Sequence, residues 1–147
     1  HLHANGRIHA DVKPLNVVRV GTSWQLIDLD VSCAIGKGFG TKKPSSGYCP
    51  PEMARVLLDA TRDGILVTSE LKAYEADVAY DLWSLGVVLF HLATGRPLWL
   101  TDKNDDVSQD HLRKLAAWTQ QIVEREIPPR HGPKHDQRPA DGQGSYH

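Results

Sequence analysis

Short apolar runs broken by glycine, proline and polar clusters open the chain, and longer runs with helical spacing follow. His1 to Gly6 reads as a helix end with Asn5-Gly6 as turn residues, and Arg7-Ile8-His9 as a short extended stretch. Asp11 to Asn16 forms a loop around Pro14. Val17-Val18-Arg19-Val20 and Trp24-Gln25-Leu26-Ile27 flank a turn at Gly21-Thr22-Ser23, which predicts a β-hairpin of two short strands. Asp28 to Pro51 is rich in Gly, Lys, Ser and Pro and predicts an irregular, mobile segment. Glu52 to Asp59, with Met53, Val56 and Leu57 on one face, predicts a short helix, and residues 60–80 a loop with a helical turn. The strongest pattern is Leu82 to Ala93, a buried helix preceded by Asp81 as N-cap, closed by Thr94-Gly95 and stopped by Pro97. Leu112, Leu115, Ala116, Ile122 and Val123 then recur at helical spacing over 108–126, a face read as core. From Pro128 onward, prolines and glycines among polar residues predict a disordered tail.

Composition narrows the picture. With 147 residues the chain is long enough for one cored domain and too short for two. A net charge of −1 gives no electrostatic reason to expect a nucleic-acid or anionic-membrane partner. The two cysteines, Cys33 and Cys49, form no CxxC pair, which argues against a disulfide framework or zinc site and for a reducing, cytoplasmic compartment. No apolar run approaches the roughly 20 residues a membrane span needs, and no signal peptide opens the chain. The start without Met, in mid-element, suggests a fragment.

Candidate chemistry is concentrated early. Transfer of a phosphoryl group to a hydroxyl needs a carboxylate to orient the hydroxyl and accept its proton, a cation near the phosphate, and oxygen ligands for Mg²⁺. His9-Ala10-Asp11-Val12-Lys13-Pro14-Leu15-Asn16 offers one group of each kind in Asp11, Lys13 and Asn16. The hairpin then carries Asp28, at the end of Leu26-Ile27-Asp28-Leu29-Asp30, next to that loop as a second metal ligand. Tyr48-Cys49-Pro50-Pro51-Glu52 and Asp81-Leu82-Trp83-Ser84-Leu85-Gly86 follow downstream.

These motifs resemble the eukaryotic-type protein kinases. The family order HRDxxxxN, DFG, APE appears here as HADxxxxN, DLD, PPE, with the DxWSxG element at Asp81, over about residues 3 to 100. The resemblance implies an α+β, protein-kinase-like fold, namely the mainly helical C-terminal lobe with one short hairpin, its N-terminal lobe absent. Residues 1–102 would be a partial kinase domain, 103–127 a C-terminal helix and 128–147 a tail. It further implies ATP and Mg²⁺ as cofactors and a protein Ser/Thr hydroxyl as substrate. Asp11 would be the catalytic base and Lys13 would contact the transferred phosphate, the lysine marking the serine/threonine branch. Asn16 and Asp28 would hold Mg²⁺. Ser45 takes the place of a threonine whose hydroxyl bridges the catalytic Asp and Lys, and Asp81 would accept backbone N–H bonds from the loop around His9.

The departures are informative. Ala10 stands where the family has an arginine that reads a phosphorylated activation segment, so regulation through Thr41, Ser45 or Ser46 is disfavoured. Asp30 replaces the glycine of DFG and sets a second carboxylate beside Asp28, and Leu29 replaces its Phe. Pro50 replaces the alanine of APE, and residues 59–75 read as an insertion. Beyond Trp99 the resemblance fades, and the family's late Asp-Pro…Arg-Pro element is absent unless Asp136-Gln137-Arg138-Pro139 is its remnant. The glycine-rich phosphate loop, the β3 lysine and the helix-C glutamate would lie upstream of His1. Gly36-Lys37-Gly38-Phe39-Gly40 is not a phosphate loop, because the next required glycine is Thr41, and it reads as activation-segment linker. Lys37, Lys42 and Lys43 read as a solvated basic loop; His1, His3 and His9 alternate in the manner of a metal site, but His9 reads better as the structural histidine of the catalytic loop.

Two functions therefore compete: a Ser/Thr protein kinase whose isolated fragment is inactive, and a pseudokinase-like scaffold. A small-molecule phosphotransferase shares HxDxxxxN but lacks the PPE and DxWSxG elements found here.

Overall fold

The computed structural model describes residues 1–62, 65–119, 121–122 and 125. The tail over 128–147, the Asp136-to-Pro139 element and Val123 lie outside the described residues. The fold is α+β and mainly helical, with three two-stranded antiparallel sheets among the described residues.

After a 3₁₀ turn at His3–Asn5, Gly6 takes the left-handed conformation and leads into β1 (Arg7–Ile8). A second 3₁₀ turn at Pro14–Asn16, with the proline at its first position, feeds β2 (Val17–Val20). β2 and β3 (Ser23–Leu26) form the hairpin, paired from Val17 with Leu26 to Val20 with Ser23. One further rung, Ile27 N–H to the Asn16 carbonyl at 2.9 Å, closes its open end. β4 (Cys33–Ala34) returns to pair with β1.

The segment predicted as irregular holds little regular structure apart from β4, and it is fastened to later residues by backbone bonds. Gly36 N–H bonds the Ala76 carbonyl, Ala76 N–H the Lys37 carbonyl and Phe39 N–H the Tyr74 carbonyl, at 2.8, 2.9 and 3.2 Å. Phe39 is buried between Tyr74 and Tyr80, with ring centroids 5.3 and 5.1 Å away. The 59–75 stretch contributes Tyr74 to this contact and is followed by Ala76 and Tyr80. It carries the end of α1 (Pro51–Ala60), a small hairpin of β5 (Thr61–Arg62) and β6 (Ile65–Leu66), and α2 (Thr68–Ala73).

α3 (Val78–Thr94) begins earlier than the sequence pattern suggests. Its N-cap is Asp77, whose carboxylate accepts from the Ala79 N–H, and Asp81 lies inside the helix. Gly95, at φ 70°, ends it as expected. α4 (Gln109–Ala116) starts after Ser108, whose hydroxyl accepts from the His111 N–H. The helical run predicted to 126 is interrupted after Ala116, with 121–122 and 125 helical again: Trp118 N–H bonds the Leu115 carbonyl and the indole turns in between Trp83 and Trp99, at 5.7 and 5.6 Å.

The core gathers Ile8, Phe39, Met53, Leu57, Leu71, Tyr80, Leu112 and Leu115, with α1 packed on α2 and α4. Burying such side chains contributes about 1.5–3 kcal/mol each. Both cysteines are free and buried. Among the described residues no helix is long and apolar enough to cross a membrane.

Candidate active site

The site is anchored from below by Asp81. Its carboxylate, almost fully buried, accepts the His9 N–H on one oxygen and the Ala10 N–H on the other, each at 2.8 Å, while His3 Nε2 adds a bond of 2.8 Å. A buried carboxylate needs such donors, and here they hold the backbone of the loop in a single conformation. Ala10 takes a φ of 67°, an unusual value for alanine that the two flanking N–H bonds maintain.

His9 connects this loop to the hairpin. The Asp11 N–H donates to its Nδ1 at 3.3 Å, so Nε2 carries the hydrogen and donates to the Ile27 carbonyl at 3.0 Å. Both ring nitrogens are engaged, and no group of three or more His, Cys, Asp or Glu among the described residues makes a metal site.

Asp11 lies where three elements meet. One carboxylate oxygen accepts the Ser45 N–H at 3.1 Å; the other accepts the Asn16 side-chain amide at 3.1 Å and faces Lys13 Nζ at 3.3 Å. Asn16 also donates to the Asp11 carbonyl at 2.8 Å, which leaves its amide oxygen for other partners. Lys13 Nζ donates to the Ser45 hydroxyl at 2.8 Å. Ser45 does bridge Asp11 and Lys13, but through its N–H to one and its hydroxyl to the other.

Asp28 stands directly past the Asn16–Ile27 rung, exposed and at φ 65°. Asn16 and Asp28 therefore flank the open end of one hairpin. An amide oxygen and a carboxylate are the all-oxygen set that a hard ion such as Mg²⁺ prefers, with phosphate and water oxygens completing its shell. Asp30 turns aside to pair with Lys42, and its N–H contacts the Asp28 carboxylate at 3.4 Å.

The loop over 101–107 is the part sequence reasoning missed. Asp105, at φ 61°, places its carboxylate 2.9 Å from Lys13 Nζ. Asp106 accepts from both the N–H and the hydroxyl of Ser46, at 3.0 and 2.8 Å, and pairs with Lys43 at 2.6 Å. Burial pulls the Lys13 pKa down, but its hydrogen bond to Asp105 and the charges of Asp11 and Asp105 outweigh this and leave it raised. Among the described residues the three non-glycine residues at positive φ, Ala10, Asp28 and Asp105, all sit at this one site.

The family model for the protein kinase domain matches residues 1–138. The chain belongs to the protein kinase family. A probable myosin light chain kinase of Dictyostelium discoideum is 35% identical over 121 residues, covering 78% of this chain and 33% of the relative. The human phosphorylase b kinase gamma catalytic chain, liver/testis isoform, is 33% identical over 65% of this chain and 22% of its own length. The serine/threonine-protein kinase PknB of Mycobacterium leprae is 28% identical over 76% of this chain and 16% of its own length. The solved structure of the Cydia pomonella granulovirus kinase PK-1 aligns over 80% of this chain and 38% of that one, with a TM-score of 0.54 and 18% identity, and shows the kinase fold. The chain thus spans about a third or less of the curated relatives it matches.

Proposed function

We propose that a kinase containing this segment transfers the terminal phosphoryl group of ATP to Ser/Thr hydroxyls of protein substrates. The observation that carries this reading is the arrangement of Asp11, held between Ser45, Asn16 and Lys13. Fixed on both oxygens, Asp11 would orient the incoming hydroxyl and take its proton. Lys13 would place positive charge beside the transferred group, and Asn16 and Asp28 would hold Mg²⁺. That ion would neutralise phosphate charge and align the reacting groups. Positioning and electrostatics then supply the rate.

On this reading the 147-residue chain alone does not turn over ATP, since its sequence contains no glycine-rich phosphate loop. Its two buried free thiols support an intracellular, reducing setting. The second reading, a scaffold without phosphotransfer, draws on the departures Ala10 and Asp30 from the family pattern, although the Asp30 carboxylate is paired with Lys42.

The test is Mg²⁺-dependent ATP binding and transfer to a generic Ser/Thr substrate by a chain extended upstream, compared with its Asp28→Asn variant. Transfer that collapses in the variant supports the kinase and assigns Asp28 to the metal. An extended chain that binds no nucleotide and transfers nothing supports the scaffold.

A further inference from the structure

A lysine ammonium has three N–H donors. Lys13 is engaged on three sides inside the molecule: its ammonium donates to the Ser45 hydroxyl at 2.8 Å and is ion-paired with the Asp105 carboxylate at 2.9 Å and the Asp11 carboxylate at 3.3 Å. The side chains of Lys13, Asp11 and Asp105 are only 14%, 10% and 18% exposed, so water does not compete freely for these bonds. A phosphoryl group arriving at Lys13 must compete with these partners for its charge.

The three partners are not equally replaceable. Asp11 is held on its other contacts by Ser45 and Asn16, and Ser45 is tied to Asp11 through its backbone. Asp105 comes from the separate 101–107 loop, whose attachment does not depend on Lys13. Gly47 N–H bonds the Asp105 carbonyl at 3.0 Å, Asp106 binds Ser46 and Lys43, and Asp102 turns the loop through the N–H groups of Asn104 and Asp106 at 2.8 and 3.0 Å. The Asp105 carboxylate can therefore swing away while the loop stays attached. Its own backbone, at φ 61°, sits in a sparsely populated region.

We propose that Asp105 is an internal counter-anion that occupies Lys13 in the resting chain and yields it to an arriving phosphoryl group, so that the 101–107 loop sets how readily the site accepts phosphate. This regulation rests on the kinase reading of the same site. The loop is an autoinhibitory contact that reuses the charge of a phosphate without its chemistry.

The experiment titrates the 147-residue chain with inorganic phosphate and follows the Lys13 side chain by NMR, for the parent sequence, Asp105→Asn and Asp110→Asn. Asparagine keeps the shape at 105 and tolerates a positive φ, so the loop conformation survives while the charge is lost. Removing a competing, largely buried ion pair should tighten phosphate binding about five- to tenfold in Asp105→Asn, and the gain should vanish when Lys13→Met is added. Asp110→Asn, which removes an equal charge paired with Arg113 on the exposed face of α4, should change affinity by less than about twofold. Equal affinities for the parent and Asp105→Asn, no phosphate binding by either, or a gain that persists without Lys13 would each overturn the proposal. Failure of the kinase reading looks different: the extended chain then transfers no phosphoryl group with either residue at position 105, whereas the phosphate contrast at Lys13 remains.

Discussion

On the inner face of α3, Tyr80, Asp81 and Ser84 are buried, and the two polar side chains hold other segments in place. Asp81 takes the loop around His9, and the Ser84 hydroxyl lies 2.8 Å from the Tyr48 carbonyl. On the outer face, Leu82, Leu85, Leu89 and Leu92 stand 59%, 43%, 53% and 76% exposed. One helix thus hides hydrogen-bonding groups and displays leucines, the reverse of an ordinary surface helix. The inner face works by specificity: a few directional bonds fix where the loop of Asp11 and the segment after Ser46 must lie. The outer face has the composition of a buried surface without the directional bonds. Helix 82–93 was expected to be buried; its inner side is, and its outer side lacks a cover among the described residues.

The sharpest way to break this comparison is Asp81→Ala. Two backbone N–H groups and His3 would lose their acceptor in a dry site, and a loss of about 3–5 kcal/mol is expected in urea unfolding, or no cooperative transition at all. A loss under about 1 kcal/mol would mean that the inner face is not held by its polar groups.

Alkaline unfolding probes the same interior through Cys49, next to the Tyr48 that Ser84 holds. Burial pushes its thiol up to about 12 from an ordinary value of 9.0. The unfolded chain ionises first, so stability is fully present below about pH 9 and falls as pH rises toward 12, by up to roughly 4 kcal/mol. Tyr74, also pushed up to about 12, mainly by burial, adds to the loss from pH 10 upward. Cys49→Ala should flatten the first part of this decline, as measured by unfolding at pH 8 and pH 11.

Ser84→Ala should cost about 1 kcal/mol, the ordinary net worth of one hydrogen bond. The outer face should respond least in stability. Leu85→Lys with Leu89→Lys should shift unfolding by no more than about 0.5 kcal/mol while lowering self-association in light scattering. A large stability loss there would show that the exposed stripe is packed in solution.

Much of this was legible in the sequence where local chemistry decides. The hairpin follows from β-branched and aromatic runs around a glycine turn, α1 from its apolar face, and the start of α4 from Ser108. The Asp11, Lys13 and Asn16 cluster was readable because its residues share one short loop. The start of α3 was not. Asp81 looks like an N-cap on its own, but Asp77 caps the helix; that Asp81 accepts backbone N–H bonds from the loop around His9, more than seventy positions away, was implied only by the family resemblance. Asp105 was equally hidden, since its contact with Lys13 depends on how the loop before α4 folds back over Ser46 and Gly47. The fastening of 36–39 to 74–76 was lost for the same reason: backbone pairing between distant segments leaves no periodic trace in side chains.

Gly38 shows what that fastening implies for tolerance to change. A methyl group at this position would come within 1.9 Å of the Lys72 carbonyl oxygen, which belongs to a backbone that cannot step aside. In a saturation mutagenesis screen, position 38 should score as severely as position 11, although it offers no group to any reactant. Intolerance to replacement would then mark two residues for opposite reasons, one for the atoms it brings and the other for the atoms it leaves out.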